Sequence, residues 1–337
     1  GSIFFNTAAI DATGLERIGN ACLIPSHYLF VGREAIPTGE GDYYFEQRFT
    51  YVERVWPKVA LSAIALPFTT AAGLTLKAAA LFTSRSARRR QRSMRRSDRN
   101  RTIASNRDYY ASIGIDLSRR EAIPPPKHRR HASYDGYMEQ GREALREIAR
   151  LFDEHDIPFW LDCGSALGAH RYGGVIPWDN DIDIAILEND HNNALAALKH
   201  LDPSKYLVQD WSNRDYPCSY LKLYSRDENM LIDIYHFRID AKEQTLTYIV
   251  SNYTSPFLSR IWRLREEATV FAEPFSAIFP LKRATFDGID VYVPNQLIPY
   301  LQRRYGENIE PAKLYNEATG RYEKDLSHPY WQLEYAH

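Results

Sequence analysis

Between Asp179 and Leu187 polar and apolar residues alternate, with Ile182, Ile184 and Ile186 at every second position and Asp179, Asp181 and Asp183 interleaved before and among them. Residues i, i+2 and i+4 of a strand share one face, so this spacing sends the isoleucines into a core and the carboxylates to the other side. Upstream, Met138, Leu145, Ile148, Ala149 and Phe152 recur at helical spacing and predict an amphipathic helix over 136–156 that stops before Ile157-Pro158. Phe159-Trp160-Leu161 then reads as a strand, and Gly164-Ser165 opens a helix running through Arg171. Beyond the acidic strand the pattern predicts a helix over 190–200, strands over 206–209 and 219–224, and an apolar strand over 230–237 with Asp233 inside it.

The N-terminal third has a different pattern. Residues 3–52 alternate short apolar runs, such as Cys22-Leu23-Ile24 and Tyr28-Leu29-Phe30-Val31, with Gly, Pro and Asp, and predict short strands and turns. Residues 59–76 carry no charge and are bracketed by Lys58 and Lys77. As a helix such a run is roughly 27 Å long, against a hydrocarbon layer of about 30 Å. Pro67 and Gly73 interrupt it, which fits a kinked span, a re-entrant hairpin or a buried soluble helix pair.

Charge changes this picture. The 337-residue chain has a formal net charge of −1, yet Arg85, Arg88, Arg89, Arg90, Arg92, Arg95, Arg96, Arg99 and Arg101 are opposed only by Asp98. A polybasic block directly after an apolar helix suits an anionic membrane surface and, by the positive-inside rule, lies on the cytoplasmic side. Nucleic acid is the weaker partner, because no aromatics interleave the arginines. Pro124-Pro125-Pro126 reads as an extended spacer. The resulting divisions are 1–57, 58–101, a Pro/basic linker at 102–135, and a catalytic region at 136–337. Cys22, Cys163 and Cys218 are too widely spaced for a CxxC zinc site and suggest no disulfide framework. The chain begins Gly1-Ser2, which reads as a cloning remnant or a processed end.

Clustered carboxylates on one strand face repel unless one is protonated or a cation neutralises them. Hard oxygen ligands select Mg²⁺ or Mn²⁺, which complete their shells with water and substrate phosphates. A solvated acidic strand end is the plainer reading of Asp-x-Asp-x-Asp alone. Asp233 adds weight, since an unpaired charge in an apolar strand costs several kcal/mol and requires a partner, either a metal or a nearby Lys or Arg. Gly164-Ser165 at a helix start suits phosphate. Arg171, Lys222 and Lys282 are candidate phosphate contacts, each weighed against a surface ion pair.

The run from Trp160 through Asp162-Cys163-Gly164-Ser165, His170-Arg171-Tyr172-Gly173-Gly174 and Pro177-Trp178-Asp179-Asn180-Asp181-Ile182-Asp183 resembles the signature of the LicD family, which includes the fukutin-like proteins. Phe279-Pro280-Leu281-Lys282 to Asp287-Gly288, running on to Val293-Pro294 and Arg303-Arg304-Tyr305-Gly306, resembles the family's C-terminal part. Asn180, and Ser165-Ala166 in place of Thr-Leu, depart from the family pattern. The resemblance implies an α+β nucleotidyltransferase fold, a mixed sheet flanked by helices, beside an N-terminal region with a candidate membrane-associated helix. It implies transfer of phosphocholine or a phosphoalditol from a CDP-linked donor, such as CDP-choline or CDP-ribitol, to a glycan or glycolipid hydroxyl. Asp181, Asp183 and Asp233 would hold two Mg²⁺ or Mn²⁺ ions, roughly 3.5 to 4 Å apart in such sites. Asp233 would also take the acceptor proton, with Asp179 a secondary candidate. Transfer of a nucleotide from an NTP, and a membrane-docked protein without catalysis, are the alternatives. The expected location is a membrane with the catalytic region in the cytoplasm, a bacterial inner membrane before a Golgi one.

Overall fold

A computed structural model describes residues 13–31, 33–37, 43–47, 55–85, 88, 105–212, 219–225, 231–249, 260–334 and 336. They fall into two compact units, one from residues 1–101, 211–217 and 251–263, the other from 102–210, 218–250 and 264–337.

In the first unit, helix α1 (Gly14–Cys22) forms where short strands were expected. A capping box decides this: the Thr13 hydroxyl accepts from the Glu16 N–H at 3.3 Å while the Glu16 carboxylate accepts from the Thr13 N–H at 2.9 Å. Strands β1 (Arg33–Pro37) and β2 (Tyr43–Gln47) form an antiparallel hairpin. The uncharged run is the middle of a longer helix, α2 (Val55–Thr83), with Pro67 inside it. Helices α1 and α2 meet at glycines, since a Cβ on Gly73 would lie 2.7 Å from Leu23 Cγ and 2.9 Å from the Gly19 carbonyl. The Ser26 and Thr70 hydroxyls lie 2.6 Å apart. Elsewhere α2 is open, with Trp56, Leu61, Ile64, Phe68 and Phe82 exposed within this chain. From the arginine block only Arg85 and Arg88 are among the described residues.

The second unit is built on a mixed sheet. Strand β5 (Asp181–Leu187) is central, antiparallel to β4 (Phe159–Leu161) on one side and parallel to β8 (Leu231–Asp240) on the other. The far edge of β8 is shared: its first half pairs with β7 (Tyr220–Ser225), its second with β9 (Thr245–Tyr248). Beyond these lie β6 (Tyr206–Asp210) on β7 and β10 (Ala272–Pro274) on β9. Ile182, Ile184 and Ile186 are fully buried, as the alternation requires.

Helix α4 (Glu139–Glu154) buries Ala144, Leu145, Ile148, Ala149 and Phe152. Helices α5 (Cys163–Tyr172) and α6 (His191–Leu198) follow β4 and β5. A second sheet orders β12 (Ile289–Val293), β11 (Lys282–Phe286) and β3 (Arg120–Ala122). Helix α7 (Leu297–Tyr305) and a hairpin of β13 (Lys313–Asn316) and β14 (Arg321–Lys324) complete the unit.

The stretch at 102–135, expected to be a linker, is woven into this unit. Helix α3 (Arg107–Ser112) buries Tyr110, whose hydroxyl donates to buried Asp190 at 2.6 Å, and β3 lies parallel to β11. Arg130 then forms a largely buried ion pair with Asp287 in the Asp287-Gly288 turn between β11 and β12. Extended segments satisfy their backbone groups on a neighbour where one is available, and here the neighbour is β11.

Candidate functional site

The parallel register of β5 and β8 sets Asp183 directly opposite Asp233, and the antiparallel register of β8 and β7 sets Asp233 opposite Lys222. Asp181, two residues before Asp183, shares its face. One carboxylate oxygen from each of Asp181, Asp183 and Asp233 lies within 4.8 Å of the other two. The strand begins only at Asp181, so Asp179 belongs to the preceding turn rather than to the strand face; its carboxylate nevertheless bonds that of Asp181. The Tyr137 hydroxyl donates to the Asp179 carbonyl at 2.5 Å and fixes that turn.

Electrostatics in this cluster are strained. Burial, then Asp179 and Asp233, push the Asp181 carboxyl up to about 8. Burial and the same neighbours, joined by Asp181, push Asp183 well above the carboxylate range. Lys222 supplies an ammonium 3.0 Å from Asp233 Oδ1 and 3.3 Å from Oδ2. Its hydrogen-bond geometry is met at Oδ2, which leaves buried Oδ1 in ionic contact but with no hydrogen bond. Among the described residues one ion pair, Lys222 with Asp233, meets these four carboxylates, and the hard-oxygen donor set that remains fits a divalent ion held by Asp181, Asp183 and Asp233. Both partners weighed for Asp233, a lysine and a metal-type cluster, are present.

The start of α5 shapes the cluster. Gly164 donates its N–H to Asp183 Oδ2 at 3.2 Å, and a Cβ there would collide with Asp179 Oδ2. The Ser165 hydroxyl accepts from the Asp183 N–H at 2.9 Å. The Gly-Ser turn was expected to meet phosphate; here the Gly164 N–H and the Ser165 oxygen position Asp183. Asp162 caps the helix by accepting from the Cys163 N–H at 2.8 Å. It is fully buried, accepts from the Tyr300 hydroxyl at 2.6 Å, and faces buried Arg304 at 3.5 Å. Burial alone would lower the Arg304 guanidinium, but Asp162, Tyr300 and Cys163 together hold it well above its ordinary value. Asp162, Tyr300 and Arg304 were not anticipated. Their signal was the spacing of Leu297, Tyr300, Leu301 and Arg304, which puts the arginine on the apolar stripe of α7.

Two expected phosphate contacts are corrected. Arg171 is buried, and its Nε and Nη2 donate to the carbonyls of Ile309 at 2.6 Å and Glu310 at 2.7 Å, so it clasps the C-terminal segment. Desolvated guanidinium N–H groups need acceptors, and these carbonyls supply them. Lys282 opens β11 in the second sheet, opposite Val293 and Arg120, and not in the sheet that carries the acidic row. Trp178 packs edge-on to Tyr172 and against Tyr322, in keeping with a packing role.

The family model described as LicD/FKTN/FKRP, nucleotidyltransferase domain, matches residues 156–296. An uncharacterised protein of Rickettsia prowazekii is 27% identical over 189 residues, covering 53% of this chain and 61% of that protein. The mouse ribitol 5-phosphate transferase FKRP is 25% identical over 189 residues, covering 51% of this chain and 35% of its own. The mouse ribitol-5-phosphate transferase FKTN is 24% identical over 177 residues, covering 51% and 33%. The chain thus spans less than two thirds of the length of each of these relatives. Among solved structures, the lincomycin-bound lincosamide antibiotic adenylyltransferase LnuA aligns with a TM-score of 0.32 at 14% identity, covering 49% of this chain and 87% of that one. The Gly-Ser turn, the acidic strand and Asp233 all lie inside the matched stretch, and residues 156–296 belong to the LicD family.

Proposed function

We propose that this chain is a divalent-cation-dependent transferase that moves a phosphorylated small alcohol from a CDP-linked donor to a glycan or glycolipid hydroxyl, releasing CMP. The observation that carries this reading is the convergence of Asp181, Asp183 and Asp233 within 4.8 Å on adjacent strands of a LicD segment. The names of the mouse relatives favour ribitol 5-phosphate as the transferred group over phosphocholine.

Bound Mg²⁺ or Mn²⁺ would neutralise charge developing on the transferred phosphoryl group and orient it. Asp181 and Asp183 would hold the cation, with Asp233 shared between it and the acceptor proton, and the Gly164 N–H and Ser165 hydroxyl fix Asp183 before substrate arrives. The acceptor oxygen attacks the distal phosphorus as the bond to the bridging oxygen breaks, so CMP leaves with that electron pair. Asp233 Oδ1, which has no hydrogen bond of its own, receives the acceptor's proton while Lys222 holds the carboxylate in place.

The same proposal places the protein at a membrane, with the catalytic unit on its cytoplasmic side. Its support is α2, where residues 56–83 form a helix long and apolar enough to cross a bilayer, followed in sequence by the arginine block.

The test is CMP release from CDP-ribitol, CDP-glycerol, CDP-choline and CDP-ethanolamine with Mg²⁺ or Mn²⁺. Release from one donor, falling at least 100-fold in Asp181→Ala and Asp183→Ala, is the expected result. Pyrophosphate release from an NTP instead, or a rate unchanged in both variants, would overturn it. In parallel, saturating cation should raise the unfolding midpoint of the wild type by the equivalent of about 2 to 3 kcal/mol at one hundred times Kd, and that of Asp183→Asn far less.

A further inference from the structure

The C-terminal hairpin carries an unexplained pairing of like charges. Lys313 and Lys324 are directly opposed across β13 and β14, with Tyr315 opposite Tyr322 as the next pair on the same face. Like charges facing one another across a strand pair are destabilising. Neither lysine makes an ion pair among the described residues. Instead, both ammonium groups are gathered over indole rings: Lys324 Nζ lies 4.1 Å and Lys313 Nζ 5.8 Å from the Trp331 ring centre. Lys313 Nζ is also 5.3 Å from the centre of Trp178, the residue just before Asp179.

The platform beneath them is fixed. The Trp331 indole N–H donates to the Ala312 carbonyl at 2.8 Å, Tyr315 stacks on His131 at 3.8 Å, and the Tyr322 hydroxyl accepts from the His131 N–H at 2.9 Å. Tyr322 in turn packs on Trp178 at 5.2 Å, which ties the hairpin to the turn leading into the acidic strand. Burial holds the Lys313 ammonium below its ordinary value, Lys324 lowers it further, and Asp179 pulls the other way, in keeping with its place over Trp178, the neighbour of Asp179 in the chain. A phosphate oxygen in that position would relieve the repulsion between the lysines and accept hydrogen bonds from both.

We infer that Lys313 and Lys324, on the indole floor of Trp178 and Trp331, form a phosphate-binding subsite beside the acidic cluster. The choice of phosphate rests on the reading of the unit as a phosphoryl transferase. Lys313, Lys324 and Trp331 lie beyond residue 296, outside the stretch matched by the family model, while Trp178 lies within it. The subsite also supplies the cationic contact that Arg171 and Lys282, by their placement, do not. The phosphate can belong to the donor's diphosphate or to a phosphate ester on the acceptor.

Equilibrium binding of CDP and of glucose 6-phosphate to the full chain, wild type against Lys313→Gln and Lys324→Gln, distinguishes these sources. A loss of about tenfold in affinity per lysine is expected for at least one probe, with Lys→Arg at the same positions retaining most of it. Loss confined to CDP assigns the subsite to the donor, loss confined to glucose 6-phosphate assigns it to the acceptor, and loss for both makes it a general phosphate site. Wild-type affinity for both probes in both Gln variants, or no binding of either probe to the wild type, overturns the inference and leaves the lysines as packing on the indoles. The readout is independent of turnover. Lysine-dependent binding without CMP release would sink the transferase reading alone, and CMP release with unaltered binding in the variants would sink the subsite alone.

Discussion

Gly164 shows how one missing side chain shapes the site. Its N–H reaches Asp183, and the space a Cβ would take is filled by the Asp179 carboxylate. Gly164→Ala should therefore displace Asp179, a short half-buried side chain able to yield, and lower CMP release by tenfold or more. The unfolding free energy should change by no more than about 1 kcal/mol, since alanine suits a helix start. A drop in stability large enough to explain the lost rate would refute this. His236 is the second instructive residue. It is fully buried, donates its Nδ1–H to the Ile234 carbonyl at 3.0 Å, and meets His191 at 3.1 Å, which in turn reaches Asp210 at 3.3 Å. Burial, then His191, pull it from 6.5 down to about 3. Above 6.5 the folded and unfolded chains both carry a neutral ring, and stability is full. Below 6.5 the unfolded chain takes a proton that the folded chain refuses, so stability falls towards pH 3 by up to about 1.4 kcal/mol per pH unit. Urea unfolding at pH 7.5, 6 and 5 should show this slope, and His236→Gln should flatten it; parallel slopes would exclude His236 as its source. At this scale, Asp181 and Asp183 were legible because alternation assigns their face, and Asp233 because a lone charge in an apolar strand requires a partner. Arg171 was not, because its partners lie at 309 and 310, and no local spacing reports a contact 138 residues away.

Elements with strong period or caps were legible to within a few residues. The helix at 139–154, the strand at 159–161 and the acidic strand with its partner all follow from apolar spacing. Two elements were misread for different reasons. Residues 14–22 carry a cap signal, Thr13 with Glu16, which the Gly, Pro and Asp punctuating that stretch outweighed, and β3 is three exposed residues that become a strand only by joining β11. The segment around Pro124-Pro125-Pro126 is extended as expected, yet tied at both ends. On one side β3 is paired; on the other, Arg130 bonds Asp287, which also accepts from the Val175 N–H at 2.9 Å and leaves no room for a Cβ on Gly174. Removing one partner of a buried pair strands the other charge. Asp287→Ala should thus cost about 3 to 5 kcal/mol of unfolding free energy, and Arg130→Ala a comparable amount. The double variant should cost clearly less than the two singles added, because no buried charge remains unpaired. Additive losses would show that the two residues act separately.

At the scale of the whole molecule, the exposed apolar face of α2 sets a separate test from the catalytic site. Leu61, Ile64 and Phe68 are 68%, 71% and 78% exposed, while the opposite side of the helix carries Gly73 and Ala80 against α1 and its surroundings. An exposed stripe of this kind is costly in water and is stabilised in hydrocarbon. If the bilayer covers it, Leu61→Lys, Ile64→Lys and Phe68→Lys together should abolish pelleting with phosphatidylglycerol vesicles, because each lysine at the centre of a span costs about 2.5 to 3.5 kcal/mol. CMP release from a water-soluble donor onto a water-soluble acceptor should stay within about twofold, since the residues proposed to hold the cation and the phosphate belong to the other unit. The arginine block contributes differently. At about 1 kcal/mol per basic residue near an anionic surface, it should make the wild type's binding fall steeply as salt rises and as phosphatidylglycerol is replaced by phosphatidylcholine. Salt-insensitive pelleting with undiminished binding of the triple variant would mean that α2 does not meet lipid. The apolar face would then have to be covered by protein, and sedimentation of the wild type as an oligomer, reverting to monomer in the triple variant, would identify a second copy of the chain as the cover.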